Sequence, residues 1–223
     1  MSIYTKRKIF YAIWVLIMLS GPITIFRNVV LSQVLSSNLV LLNTFQRLTG
    51  TMAFSLIFMQ IMIGSNMDKF VQILGSKAYR IHIVQGLLVY ATAFSHPIFE
   101  SLIVFTVSRK VADAFFVVIP SLNTQRDILL TFGKMGLALL TIGVVAAYFR
   151  TKPVFRKYWR YFHYFNYVVF FLIAFHARVG TDLGSLPFDS FYWAAIVIVS
   201  LTLMYKLSNP TFQIESQPFD YLA

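Results

Sequence analysis

Six stretches of the chain are apolar almost without interruption: roughly residues 8–26, 44–64, 80–106, 128–149, 159–179 and 187–206. A helix needs about 20 residues to cross a hydrocarbon core, and these runs have that length. Barrel strands are shorter and alternate in polarity. Within hydrocarbon a chain must satisfy its own backbone groups, so the pattern predicts an all-α membrane protein, a bundle of six transmembrane helices. The intervening segments are polar or mixed. NMDKFVQILGSKAY (66–79) and RTKPVFRKYW (150–159) are basic, while VSRKVADAFFVVIPSLNTQRD (107–127) has an apolar centre suited to the membrane surface. The start, MSIYTKRKIFYAIWVLIMLSGPI, has the basic and apolar order of a signal peptide. No clear small-residue cleavage site follows, and the run is long enough to span, so it reads as a retained first helix. The expectation is one transmembrane domain over residues 1–223.

Composition sharpens this picture. Hydrophobic residues make up 58% of the chain and charged residues 12%, with a mean hydropathy of +0.71. Soluble domains carry about twice that charge. The net charge of +11 suggests nucleic acid at first sight. The basic residues, however, form short clusters beside apolar runs, as orienting charges do, so the expected surroundings are membrane lipid and no nucleic acid. Twelve of the 19 lysines and arginines fall on one side of the predicted bundle. That side is then cytoplasmic, both termini lie on it, and the membrane is the plasma or inner membrane. The chain has no cysteine. Disulfides, thiolate zinc sites, iron–sulfur clusters and c-type haem attachment are thereby excluded.

Histidine is the strong metal ligand that remains, and the chain has four. They close two apolar segments, HIVQGLLVYATAFSH (82–96) and HYFNYVVFFLIAFH (163–176). On an ideal helix, His82 and His96 are separated by about 21 Å of rise and roughly 40° of rotation. If the third and fifth spans are neighbours, His82 meets His163 near the inner face and His96 meets His176 near the outer face. Each pair can hold a flat ligand edge-on, and two imidazoles on one haem iron make a six-coordinate b-type centre with no open position for dioxygen. One detail resists: the 13-residue step from His163 to His176 rotates an ideal helix by about 140°. A bulge, a kink or a strong tilt of the fifth helix has to absorb it, or the haems sit at different angles to that helix. Gly86, one turn after His82, offers room for a porphyrin to approach, and Pro97 after His96 offers a bend. Arg80, Lys157 and Arg160 lie beside the inner pair, and Arg47 and Arg178 near the outer one. They are candidates for haem propionates or, for the inner group, ordinary membrane anchors. Two other readings compete: histidines that hydrogen-bond neighbouring helices, and a proton relay, for which Glu100 is the one acidic residue at hand.

The paired spacings, carried by GSKAYRIHIVQGLLVYATAFSH and FRKYWRYFHYFNYVVFFLIAFH, resemble the ferric-reductase-like transmembrane domain family. That family includes ferric reductases, NADPH oxidases and the haem-binding membrane subunit of periplasmic methionine sulfoxide reductase. LTGTMAFSLIFMQIMIG, with Arg47 and Gly50 near its outer end, is similar to the family's second helix. The likeness covers about residues 44–206. It implies two b haems, with His82 and His163 ligating the inner iron and His96 and His176 the outer one. It also implies electrons passing from the cytoplasm to an extracytoplasmic acceptor. Many members continue into a flavin- and nicotinamide-binding domain, whereas this sequence has no glycine-rich dinucleotide motif. A separate cytoplasmic flavin reductase or a quinol is therefore the expected donor, and a periplasmic protein a possible acceptor. The alternatives are the membrane subunit of a methionine sulfoxide reductase and, from another class, a non-redox transporter or assembly protein with helix-packing histidines.

Overall fold

The computed structural model describes residues 1–208, apart from the side chains of Val154, Lys157, Trp159 and Arg160. Among the described residues the chain is helical, with no strand. The helices are α1 (Ile3–Arg27), α2 (Leu31–Ser36), α3 (Asn38–Ser65), α4 (Met67–Leu74), α5 (Lys77–Ser108), α6 (Val111–Phe116), α7 (Gln125–Tyr148), α8 (Pro153–Ala177) and α9 (Phe188–Ser208).

Five of these, α1, α3, α5, α7 and α9, are long and apolar enough to cross a membrane. The predicted fifth span falls in α8, where the apolar stretch is the shorter Tyr161–Ala177. The difference has a chemical cause: α8 opens on basic residues and tyrosines and carries His163, Asn166 and His176. The long helices begin earlier than the apolar runs because polar caps start them. Ser2 accepts from Thr5 N–H, Ser37 accepts from Val40 N–H, and Thr124 and Asp127 form a reciprocal capping box. Pro153 begins α8, where its missing N–H costs nothing. The short helices α2, α4 and α6 occupy segments that hydropathy predicts as loops. In α4 the apolar residues Phe70, Val71, Ile73 and Leu74 turn toward the core, and Arg7 of α1 donates to the carbonyl of Ile73 at 2.6 Å. Phe115 and Phe116 of α6 stay exposed, as expected of a segment lying on a membrane surface.

The helix at the centre is α3. It packs on α1, α5, α8 and α9 and buries Phe54, Ser55, Leu56, Ile57, Phe58 and Met59 in succession. A helix buried all round is apolar all round. The most apolar helix, α1, instead turns Ile9, Ile13, Leu16 and Ile23 outward, because lipid accepts apolar side chains as readily as a core does. Polar contacts close the bundle: Thr24 of α1 accepts from Phe188 N–H at 3.0 Å, and the hydroxyl of Tyr192 in α9 donates to Ala174 O of α8 at 2.8 Å.

Two tight helix pairs carry the histidines. Helix α5 packs chiefly on α3, and α8 chiefly on α7. The backbones of α5 and α8 hardly approach one another; the two helices meet through their imidazoles.

Candidate functional site

The structure brings the four histidines together as two pairs. His82 and His163 have ring centroids 5.8 Å apart, with the planes at 68°. His96 and His176 have centroids 5.9 Å apart, with the planes at 81°. Both rings of α8 therefore reach the same neighbour, α5. Helix α8 runs unbroken from Pro153 to Ala177 without an internal proline, and His176 lies in its last turn.

The helices behind the rings are relieved of side chains where the rings lie. A Cβ on Gly50 of α3 would stand 2.9 Å from His96 Cε1, and one on Gly64 would stand 3.0 Å from His82 Cε1. On α7, a Cβ on Gly133 would stand 2.7 Å from His176 Cγ. Carbon atoms pack at about 3.5–4.0 Å, so a methyl at any of these positions pushes the ring. Gly50 and Gly64 repeat on α3 the 14-residue step of His82 and His96 on α5. That matching step was the sequence signal for these seats, and reading the histidine segments alone passed over it. Gly86, the glycine expected to make room near His82, faces Gln60 instead: its Cβ would stand 3.0 Å from Gln60 Nε2.

Hydrogen bonds orient the rings. His96 Nδ1 lies 2.8 Å from Gln46 O, and His176 Nδ1 lies 3.1 Å from Leu129 O. A carbonyl can only accept, so each Nδ1 carries the proton and each Nε2 keeps its lone pair. Histidines that bind metals are usually held in this way through the second nitrogen. The side chain of Gln46 also donates to Glu100 at 3.2 Å, so Glu100 is tied to α3. In the other pair, Gln60 Nε2 lies 3.2 Å from His82 Nε2, while His82 Nδ1 is buried without a hydrogen-bond partner. Asn166 Nδ2 lies 3.4 Å from His163 Nδ1. A cleft of about 70 Å³ beside His163 is lined by Gln60, Gly64, Ser65, Asn166, Tyr167 and Lys206, among others.

The arginines separate into three groups. Arg47 is half-buried and forms a two-pronged ion pair with Asp182, with Nε at 2.9 Å from Oδ2 and a second contact between Nη2 and Oδ1. Its fork is thus engaged by a carboxylate of its own chain. Asp182 is the acidic residue that sequence reasoning missed, although it is the one acid between Asp127 and Asp189. Arg80 and Arg178 are exposed, two residues from His82 and His176 respectively. The side chain of Arg160 lies outside the described residues.

The donor set decides which ligand fits. Among the described residues there is no cluster of three or more His, Cys, Asp or Glu able to hold a free metal ion. Two imidazoles alone hold a metal weakly, and a metal that brings its own planar set of ligands needs no more than two. Metal–imidazole bonds are about 2 Å long and the ring centre lies about 1 Å further on, so two imidazoles across one metal have centroids about 6 Å apart. Both observed pairs come near that separation, which is also that of packed rings elsewhere in the bundle, such as Phe54 and Phe188 at 5.9 Å. The ring pairs, the glycine seats and the carbonyl-held Nδ1 atoms together fit a metal macrocycle of the haem type. The chain matches no family model, no curated protein and no solved structure.

Proposed function

We propose that this chain is a transmembrane electron conduit that holds two b-type haems between α5 and α8, in the manner of the ferric-reductase-like membrane domains. The observation that carries the proposal is the pair of imidazole–imidazole separations, 5.8 and 5.9 Å, each close to the spacing across one six-coordinate iron. A bound b haem supplies one-electron Fe(III)/Fe(II) chemistry. His82 and His163 would serve as axial ligands near the cytoplasmic face, and His96 and His176 near the opposite face. Gln46 O and Leu129 O fix the tautomers of the second pair. Gly50, Gly64 and Gly133 give the rings their seats, and the surrounding apolar side chains exclude water.

The supporting topology has six spans, with α8 as the fifth and both termini in the cytoplasm, as the lysine and arginine distribution favours. Electrons would enter from a cytoplasmic flavoprotein or a quinol and leave to an extracytoplasmic acceptor. Outward electron movement is assisted by an inside-negative potential, by about 2.3 kcal/mol per 100 mV.

The test is haem quantification together with a reduced-minus-oxidised visible spectrum on detergent-purified protein. About two low-spin b haems per chain are expected. A folded protein without a Soret band would return the histidines to helix packing and end this reading. The glycine seats add a second expectation. Gly133→Ala should displace the His176 ring and weaken haem retention at that centre by about tenfold or more, the cost usual for disturbing a ligand's support. The His82–His163 centre should keep its spectrum. Equal loss from both centres would mean that the glycine serves bundle packing in general.

A further inference from the structure

A chain of part-buried hydrogen bonds crosses three helices and ends on one histidine. Trp14 Nε1 of α1 donates to Gln85 Oε1 of α5 at 2.7 Å. Gln85 Nε2 donates to Gln60 Oε1 of α3, and also to Leu56 O, both at 3.3 Å. Gln60 Nε2 donates to His82 O at 2.9 Å and lies 3.2 Å from His82 Nε2. Gln85 is only 3% exposed.

The chemistry of the two ends gives this chain a direction. An indole N–H can only donate, so the Gln85 amide must turn its oxygen to Trp14 and its NH₂ toward α3. That NH₂ fixes the oxygen of Gln60, and the Gln60 NH₂ is left facing His82. The His82 carbonyl, which can only accept, agrees with this order. The His82 ring therefore meets an N–H at Nε2, so Nε2 must carry the lone pair and Nδ1 the proton. His82 Nδ1 itself has no hydrogen-bond partner, so the tautomer is selected at Nε2. In the other pair the same tautomer is selected from the opposite side of the ring, by carbonyls at Nδ1.

We propose that Trp14, Gln85 and Gln60 form a positioning relay that presets the tautomer and orientation of His82, keeping its Nε2 lone pair ready for a metal. This deepens the haem reading and rests on it for its purpose. A metal at Nε2 would take the place of the Gln60 N–H, and the donation from Gln60 to His82 O would still anchor the turn. The relay runs from α1, so the first helix takes part in the site without contributing a ligand.

The experiment uses the full chain with ¹⁵N-labelled histidine. Four histidines give few enough ring signals to assign by His→Ala variants. In haem-free protein, His82 is expected in the Nδ1–H form. Gln60→Leu should abolish that preference and leave His96 and His176 unchanged. Trp14→Phe removes the donor N–H together with the five-membered ring, and should loosen the same signal by freeing the amides to flip. In a haemin titration, both variants should weaken one of two binding steps by about tenfold or more, the same step that His82→Ala removes. An unchanged His82 signal in both variants would overturn the relay. So would equal weakening of both binding steps, which marks a packing effect. If the wild-type chain binds no haemin, the haem reading fails, and the ring signals still decide whether the relay exists.

Discussion

His96→Ala and His176→Ala are each expected to remove one of two haems and leave the other spectroscopically intact. His82→Ala and His163→Ala should do the reciprocal. The expected loss is large because nothing nearby can substitute. The described residues contain no further His, Cys, Asp or Glu clustered at either pair, and a single imidazole leaves an iron with one axial bond. The effect should also be local. The pairs stand about 21 Å apart along α5; each ring has its own polar partner, and His82, His96 and His176 each rest on a glycine. Haem content per chain, read with the α-band position and the low-spin resonance spectrum, checks this. If all four variants kept full haem, the ligand assignment would be wrong. If every single variant lost both haems, the two pairs would form one cooperative site.

The second large effect is expected at the ion pair between Arg47 and Asp182. The two side chains are 15% and 8% exposed, and they tie α3 to the turn that joins α8 to α9. Breaking such a pair from one side leaves a buried charge alone, which costs about 3–5 kcal/mol. Asp182→Asn and Arg47→Met should each lower the unfolding temperature of the detergent-solubilised protein by several degrees. Arg47→Met combined with Asp182→Leu should recover much of that loss, because removing both charges removes the penalty. Single variants that behave like surface substitutions, within about 0.5 kcal/mol, would show that the pair is solvated. Haem content in Asp182→Asn bears on a separate question. Arg47 is a haem-propionate candidate by sequence position, and freeing its guanidinium tests whether its engagement with Asp182 limits that role.

The helical membrane character was legible because it depends on local composition. Twenty apolar residues in a row have few other outcomes in water or lipid. The likely-looking loops hid α2, α4 and α6, since short amphipathic helices depend on the face they find to bury rather than on length. Span α8 was legible as a helix but is marginal in hydropathy, because the polar residues that make it interesting are the ones that lower its score. The spacing of the histidines pointed to two pairs, whereas the equal spacing of Gly50 and Gly64 became meaningful only once the rings were seen against α3. Asp182, 135 residues from Arg47, had no local signal at all.

The sequence by itself therefore determined the apolar helical character, the places of the long helices and the supply of imidazoles, since each is a property of one short segment. The tertiary structure decided which residues share a neighbourhood. It made α3 the buried centre although α1 is more apolar, because lipid does not distinguish an apolar face from a core. It held the backbones of α5 and α8 apart by giving each a closer partner in α3 or α7, and brought their imidazoles together in two pairs. It turned Gln60, Gln85 and Trp14 into one directed chain ending at His82. Hydrogen-bond direction is a property of donors and acceptors in contact, and contact between helices is what a linear pattern does not contain.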